Sequence, residues 1–402
     1  MGPHVEASLQ VLTLKPVLVP QGPAMANSKP QQWFGIKELY SPGPNAEIDI
    51  VAVHGLNGDA FTTWTSDKGN ICWLKHPDLL PKYMPNARIL TWGYNANVTS
   101  LKGRSTSSDR VLQHAQTLVA DLQADRAVRC FFFNVKHRRG RKGARLTASQ
   151  LEGAESRPII FLCHSLGGIV VKRALAYSTS RTSSKIAHLH SIYTCTYGLV
   201  FFGTPHHGSR HAHLARSLQK LAAASLPRKA LETDSALLRA LERDSEVLQD
   251  ISDQFAPLLP RFCVFFLWEQ ERSDLKYTRD YVVDESSAAP IVDGTERAGV
   301  AADHGGMCKF DSKDAPGFRT VVAALQRYGM GAPGVVRERN RAAARELGVK
   351  GWCEARELAR GVVAGGEDPP RIAGGGGGAA GFENESVRRE VGALGEGSGD
   401  VV

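Results

Sequence analysis

The chain has 402 residues, an ordinary apolar fraction of 42% and seven cysteines, which are odd in number and show no CxxC pairing. These values indicate a globular protein of one or two domains in a reducing compartment, and they argue against a disulfide framework or a zinc site. The net charge of +8 suggests a nucleic-acid partner, but seven basic residues lie together between 128 and 150, so the rest of the chain is nearly neutral and no such partner is expected.

Residues 1–34 are predicted to form a flexible N-terminal extension. Their apolar run at 9–20 is interrupted by Lys15, Pro16 and Pro20, and it lacks a small-residue cleavage site behind a basic start. It is therefore a poor signal peptide, and it is too short to span a bilayer. We expect an intracellular protein, cytoplasmic by default, and peripheral membrane contact is an open alternative.

Residues 35–330 alternate short apolar runs with amphipathic stretches, which is typical of a parallel sheet flanked by helices. The apolar runs are nearly continuous, as expected for strands that are buried on both faces. Strands are predicted at 48–53, 88–92, 159–163, 198–202, 263–268 and 281–283. Helices are predicted at 108–126, 168–177 and 318–328. The predicted fold class is therefore α/β, with a mostly parallel central sheet and helices on both faces.

Three segments depart from this alternation. Residues 128–150 form an atypical basic insertion, for which a retained intron and a surface loop that contacts acidic lipid headgroups are both open explanations. Residues 210–259 contain regularly spaced leucines and are predicted to form a helical cap over the site, with an ordinary pair of connecting helices as the alternative. Residues 331–402 include the glycine run 374–378, and a low-complexity, largely disordered tail is predicted there.

Ser165 is the candidate nucleophile. It lies where the apolar run 159–163 passes into a predicted helix, and a tight strand-to-helix turn of this kind projects a serine hydroxyl above the sheet. Small residues must flank such a turn, and Gly167 supplies one on the helix side. Cys163 takes the place of the usual glycine two positions before the serine. His164 is predicted to be a structural part of the same elbow.

A second glycine-containing turn follows the run 48–53. An oxyanion hole needs backbone N–H groups that point at the charge developing in a tetrahedral intermediate, and the pair His54-Gly55 leaves room for such a backbone approach. The amides of Leu56 and Leu166 are therefore the predicted oxyanion donors. An ordinary strand-to-helix turn is the alternative interpretation of the glycines.

His304 is the candidate general base. In a serine hydrolase with this type of elbow the chain order is nucleophile, acid, histidine, and the histidine lies in a loop after the last strand. His304 fits that order, because it lies in a glycine-rich loop between the run 281–283 and the final predicted helix. His206 and His207 end the run 198–202 at the same edge of the sheet and are predicted to shape the mouth of the pocket.

Two carboxylates compete for the third catalytic position. Glu269 directly follows the run 263–268, where a carboxylate could orient the imidazole and stabilise its cation. Asp284 follows the run 281–283 and is the alternative acid. For either residue, a solvated charge at the end of a strand is the simpler interpretation.

Several segments in combination resemble the SERAC-like serine esterases, a family of α/β-hydrolases that is abundant in filamentous fungi. These segments are residues 48–58, 63–65, 73–74, 87–94, 157–168, 198–209 and 303–310. The resemblance spans roughly residues 35–330 and implies the α/β-hydrolase fold with a Ser/acid/His triad. It favours Glu269, because the family's carboxylate stands at an aromatic-rich strand end like residues 265–269. Some relatives are linked to lipid remodelling and to mitochondria or the endoplasmic reticulum, and the resemblance implies association with one of these two compartments here.

These features predict a serine esterase or lipase that hydrolyses a small-molecule or lipid ester through an acyl-enzyme, with no metal ion and no organic cofactor. One alternative is an inactive binding or signalling module that keeps the fold. Another is a membrane or nucleic-acid contact through residues 128–150. The filled catalytic positions favour the enzyme.

Overall fold

The computed structural model describes residues 32–96, 107–139, 154–206, 217, 219–220, 250–275 and 278–364. Residues 1–31 of the predicted N-terminal extension, most of the predicted cap, the end of the predicted basic insertion, residues 365–402 of the predicted tail and His207 lie outside these ranges. Within them, no helix is both long enough and apolar enough to cross a membrane.

A seven-stranded sheet forms the centre of the described chain. Its strands are β1 (Gly35–Tyr40), β2 (Ile48–Val53), β3 (Ala87–Gly93), β4 (Ile159–His164), β5 (Thr196–Phe202), β6 (Cys263–Glu269) and β9 (Thr295–Val300), and a separate antiparallel ribbon pairs β7 (Ser273–Asp274) with β8 (Arg279–Asp280). The order across the sheet is β1-β3-β2-β4-β5-β6-β9, and only β1 runs antiparallel to its neighbour. This order, with a serine in the turn after β4, is that of the α/β-hydrolase fold and confirms the predicted fold class.

Helices cover both faces of the sheet. They are α1 (Leu80–Tyr83), α2 (Ser107–Arg139), α3 (Leu166–Thr179), α4 (Ala187–Cys195), α5 (Glu285–Ala288) and α6 (Phe318–Ala364). Buried residues of α2, α3 and α4 belong to the apolar cluster on one face, and the first turns of α6 belong to the cluster on the other. Helix α2 continues past its predicted end at residue 126 and includes the first half of the predicted basic insertion.

Alternate residues of each strand supply the two halves of the core. Val51 and Val53 of β2 pack with the α2, α3 and α4 helices, whereas Ile50 and Ala52 pack on the opposite face. This division follows from the period of two along a strand. Because both faces are covered, the central strands are apolar at almost every position, which explains why they were recognisable as runs.

The structure confirms five of the six predicted strands and corrects the sixth. Residues 281–283 are not a strand, because the buried Val283 donates its backbone N–H to the carboxylate of Glu269 at 2.8 Å instead of to a neighbouring strand. The last strand of the sheet is β9, whose sequence contains Thr295, a glutamate and an arginine. Since β9 is a half-buried edge strand, it tolerates polar side chains that hid it in the sequence.

The predicted end of the domain at residue 330 is wrong, because α6 continues through the start of the predicted tail to Ala364. Val336 is buried in the core, and Arg339 donates a hydrogen bond of 2.9 Å to the backbone carbonyl at the start of β5. The compact unit that holds the sheet ends at Val349. The part of α6 after residue 330 is rich in alanine, arginine and glutamate, whose helix propensity is high. It therefore forms a helix although it contains few large apolar residues.

A buried ionic cluster lies at the edge of the sheet where the parallel strands begin. The carboxylate of Asp49, at the start of β2, accepts hydrogen bonds from Arg88 at 2.9 Å and Arg126 at 2.7 Å. Arg157 donates a third hydrogen bond to the same carboxylate at 2.8 Å. Burial alone would raise the pKa of Asp49, but the three guanidinium groups hold it down at about 2. Arg126 also donates to the carbonyls of Glu155 and Arg157, which ties α2 to the chain that leads into β4.

Candidate active site

Ser165 lies in the turn between β4 and α3. Its backbone angles are φ 53° and ψ −126°, a conformation that residues other than glycine rarely adopt and that is a source of local strain. Its N–H donates to the carbonyl of Phe202 at 2.8 Å, and its own carbonyl accepts a hydrogen bond from Thr204 Oγ1 at 2.9 Å. The strained turn is thus held on both sides by β5 and the residues that follow it.

Two predicted glycines allow the neighbouring loops to approach this turn. A Cβ atom on Gly167 would lie 2.4 Å from the carbonyl oxygen of His54, and one on Gly55 would lie 2.7 Å from Ser165 Cβ. Either contact is too short for a side chain, so the backbone after β2 packs directly on the nucleophile turn. Cys163, which replaces the usual glycine, is buried in the core on the α2 and α3 face of the sheet and is accommodated there.

His304 and Glu269 form a buried pair at the same edge of the sheet. His304 Nδ1 lies 3.0 Å from Glu269 Oε2, although the approach is off the line that the N–H bond would take. The other carboxylate oxygen of Glu269 accepts the backbone N–H of Val283 at 2.8 Å, which fixes the orientation of the carboxylate. The distance of 3.0 Å itself suits a hydrogen bond.

The alternative acid does not approach the histidine. Asp284 directly precedes α5 without a side-chain capping hydrogen bond, its side chain is 45% exposed, and its carboxylate lies 3.9 Å from Lys220 Nζ. Of the two predicted carboxylates, the structure therefore brings only Glu269 to His304.

Several polar atoms at this edge lack hydrogen-bond partners among the described residues. Two of them are Ser165 Oγ and His304 Nε2, and both residues are buried, with 1% and 6% of their surface exposed. The two residues are linked through their neighbours: the residue before the serine, His164, donates its Nε2–H to the carbonyl of His304 at 2.9 Å. Buried hydroxyl and imidazole groups that remain unpaired are costly, so their presence together indicates a site for reaction or binding.

The peptide between Gly55 and Leu56 has a fixed orientation. Its carbonyl oxygen accepts hydrogen bonds from His54 Nδ1 at 3.0 Å and from the N–H of Gly58 at 3.1 Å. Because the N–H and C=O of a trans peptide point in opposite directions, the Leu56 N–H is directed away from these donors. Leu166 is the first residue of α3, so its N–H has no partner within that helix. Both leucines are partly buried against the core.

His54 is a neutral structural residue. Its Nε2 accepts the backbone N–H of Tyr94 at 3.2 Å, so the proton of the neutral ring is on Nδ1, which donates to Gly55. The ring also stacks on Tyr94, with 4.5 Å between the centroids. Desolvation lowers the pKa of His54 to about 4.

His206 does not shape the mouth of a pocket. It is 98% buried, and its ring packs edge-on against Phe201 and Phe266 at 4.6 and 4.5 Å. Its N–H donates to the carbonyl of Ser287 at 2.8 Å. The prediction failed because a histidine after a strand can turn inward as well as outward. In the described parts of the chain, no group of three histidine, cysteine or acidic residues is placed to hold a metal ion.

Four residues of the site were not identified from the sequence. Thr204 and Val283 hold the nucleophile turn and Glu269, as described above, and Ser273 Oγ accepts the N–H of His304 at 3.2 Å. Gly203 has φ 57°, and a Cβ there would lie 2.9 Å from His304 Cε1. The run Gly-Thr-Pro directly after a buried strand is a signal that could have revealed Gly203 and Thr204, whereas Ser273 and Val283 have no local signal.

Comparisons with known proteins give the following similarities. The chain is similar to Protein SERAC1 of Mus musculus, with 27% identity over a region that covers 49% of this chain and 28% of the relative. It is also similar to Protein SERAC1 of Danio rerio, with 24% identity over 70% of this chain and 39% of the relative. It thus spans well under half the length of these relatives. No family model matches the chain.

Among solved structures, a lipase-esterase related protein from Clostridium acetobutylicum matches at 11% identity and a TM-score of 0.36, over 73% of this chain and 98% of that one. The monoglyceride lipase of Saccharomyces cerevisiae matches at 12% identity and a TM-score of 0.34, over 76% of this chain and 95% of that one. At these scores the matches add nothing to the strand order as evidence for the fold.

Proposed function

We propose that the chain is a serine hydrolase that cleaves carboxylic esters through an acyl-enzyme, with Ser165 as nucleophile, His304 as general base and Glu269 as the acid. The observation that carries the proposal is the buried His304–Glu269 contact of 3.0 Å beside a serine in a strained strand-to-helix turn. Structural roles alone would not require a hydroxyl and an imidazole nitrogen to remain buried and unpaired at one edge of the sheet.

In the acylation step, Ser165 Oγ attacks the carbonyl carbon of the ester while its proton passes to His304 Nε2. Glu269 stabilises the imidazolium that forms, and its fixed carboxylate holds Nδ1 as the protonated nitrogen. The N–H groups of Leu56 and Leu166 bind the negative oxygen of the tetrahedral intermediate. The intermediate then collapses, the bond to the alcohol oxygen breaks, and the alcohol leaves with the proton from His304.

In the deacylation step, a water molecule gives its proton to His304 Nε2 and attacks the acyl carbon. The second intermediate expels Ser165 Oγ, which recovers the proton, and the carboxylic acid is released. The chain's own residues suffice for both half-reactions. The regularly spaced leucines of residues 210–259 favour an acyl or lipid ester over a polar one.

Peripheral membrane contact, at mitochondria or the endoplasmic reticulum, is a second part of the proposal and rests on the basic residues 128–150. It is tested by sedimentation with vesicles that contain anionic lipid. Binding that weakens with salt and is lost when residues 128–150 are deleted supports the contact. Binding that survives the deletion contradicts it, and equal binding to DNA would indicate a non-specific polyanion site.

The enzyme proposal is tested by labelling the purified protein with a fluorophosphonate, which reacts with activated serines. We expect the wild type to be labelled and the variants Ser165→Ala and His304→Ala to lose labelling. Ser287→Ala is the matched control, because Ser287 Oγ is also buried and unpaired but lies outside the strained turn. This variant should be labelled like the wild type.

Labelling that survives Ser165→Ala would place the reactive serine elsewhere. A wild type that is not labelled, both as the full chain and without residues 128–150, would support an inactive binding module with this fold. A labelled wild type justifies a comparison of ester substrates of increasing acyl length.

A further inference from the structure

His164 connects the nucleophile turn to the loop that carries the histidine base. It directly precedes Ser165, and its Nε2 lies 2.9 Å from the backbone carbonyl oxygen of His304, a residue 140 positions later in the chain. The rings of His164 and His304 are also close, with 5.0 Å between their centroids. On its other side the Nδ1 atom faces the turn after β2, since a Cβ on Gly55 would lie 3.3 Å from it.

The hydrogen-bond partner determines the protonation state of His164. A carbonyl oxygen can only accept a hydrogen bond, so Nε2 carries the proton and Nδ1 does not in the neutral ring. Desolvation, helped by the nearby His304 ring, lowers the pKa of His164 to about 3, so the ring is neutral at physiological pH. The unprotonated Nδ1 faces the turn after β2, and the low pKa makes the ring a poor proton acceptor, so His164 does not serve as the base.

The backbone of His304 is held at two points. Ser273 Oγ accepts its N–H at 3.2 Å, and His164 donates to its carbonyl oxygen. The contact with Glu269 holds the side chain but not the backbone. Of these three contacts, only the one from His164 originates in the nucleophile turn itself, so it sets the position of the base relative to Ser165.

We propose that His164 is a positioning residue of the hydrolase, which keeps the His304 imidazole within reach of Ser165 Oγ through its hydrogen bond to the His304 carbonyl. The inference rests on the proposed function and adds a role that the triad does not contain. It predicts that the donor at Nε2 matters, whereas the imidazole as a titrating group does not.

The test compares His164→Gln with His164→Met. Glutamine places an amide N–H where Nε2 stood, and methionine has a similar length but no donor. We expect the Met variant to label with fluorophosphonate about 10–100-fold more slowly, the size of loss typical of a misplaced catalytic group. The Gln variant should stay within about threefold of the wild type, because a neutral donor replaces a neutral donor. The dependence of the labelling rate on pH should be the same in the wild type and the Gln variant.

His190→Met is the matched control. His190 Nδ1 also donates to a backbone carbonyl, that of Ser178 at 3.2 Å, but far along α3 from the nucleophile. Its loss should change labelling by no more than about twofold. If His164→Met does not fold, His164→Asn takes its place, because the shorter asparagine amide cannot reach the carbonyl.

Equal labelling rates in the Gln variant and the donor-free variant, whether both high or both low, would overturn the inference while the proposed function stands. A wild type that is not labelled at all would overturn the proposed function, and this inference with it. Slow labelling of the donor-free variant together with near-normal labelling of the Gln variant supports the role.

Discussion

Substitution of Gly203 by alanine should damage the candidate site more than the fold. Gly203 follows β5, has φ 57°, and lies directly against His304, the candidate general base. A Cβ there would meet His304 Cε1 at 2.9 Å, His304 Nδ1 at 3.0 Å and Met307 Sδ at 3.0 Å. Gly294→Ala is a matched control, since Gly294 has φ 73° and a Cβ on it would meet nothing within 4 Å.

The two effects can be separated in magnitude. An alanine in the left-handed region costs about 1–2 kcal/mol of unfolding free energy, and both variants should lose this amount. Only Gly203→Ala must also move the imidazole, by about half an ångström, to restore an ordinary contact of 3.4 Å or more. A misplacement of about 1 Å can cost a factor of about 10², so about tenfold is expected for half that distance.

The assay is the rate of fluorophosphonate labelling, measured well below the unfolding temperature of both variants, with thermal unfolding measured in parallel. We expect Gly294→Ala to lose stability and keep its labelling rate, and Gly203→Ala to lose both. A Gly203→Ala protein that is labelled as fast as Gly294→Ala would refute the argument that the glycine makes room for the His304 imidazole.

Two further predictions follow from the buried charges. Glu269→Gln should slow ester hydrolysis by about 10²–10⁴-fold in steady-state kinetics, because an amide does not stabilise the imidazolium. Asp284→Asn should hydrolyse the ester within about threefold of the wild-type rate. The opposite result would make Asp284 the acid. Desolvation lowers the pKa of Lys172, buried beside Ser252, from 10.5 to about 7, so between these values the unfolded chain binds a proton that the folded chain does not. The free energy of unfolding should therefore rise with pH above about 7, by up to about 1.4 kcal/mol per pH unit. Urea unfolding at about pH 7 and pH 9 measures this slope, and Lys172→Met should remove it. A slope that is unchanged in the variant would show that Lys172 is not its source.

The central strands and the nucleophile turn could be predicted because their signals are local. Strands β2 to β6 are buried on both faces, so each appears in the sequence as a nearly continuous apolar run. Ser165 and its flanking glycine occupy one short segment, and the order of the elements gave the position of His304. The residues alone left Glu269 and Asp284 open, because both follow apolar runs; the family resemblance favoured Glu269, and the coordinates bring only Glu269 to His304.

The remaining features depend on contacts between distant parts of the chain. Residues 281–283 have the composition of a strand, but the N–H of Val283 binds a carboxylate 14 positions earlier in the chain, which no local pattern reveals. The edge strand Thr295–Val300 is half-buried and therefore polar. The inward rotation of His206 between two phenylalanine rings is likewise a property of packing and not of sequence spacing.

The cluster around Asp49 has a consequence for protein engineering. Arg126 and Arg157 both donate hydrogen bonds to the carboxylate of Asp49. The chain before residue 127 and the chain after residue 153 are therefore held by the same side chain, on the side of the sheet away from Ser165. An insertion into the segment 127–153 would therefore start and end at the side of the sheet away from Ser165. We expect a fluorescent reporter or an affinity module grafted into this segment to leave the candidate active site intact, so the segment is a suitable attachment point for following the protein in cells.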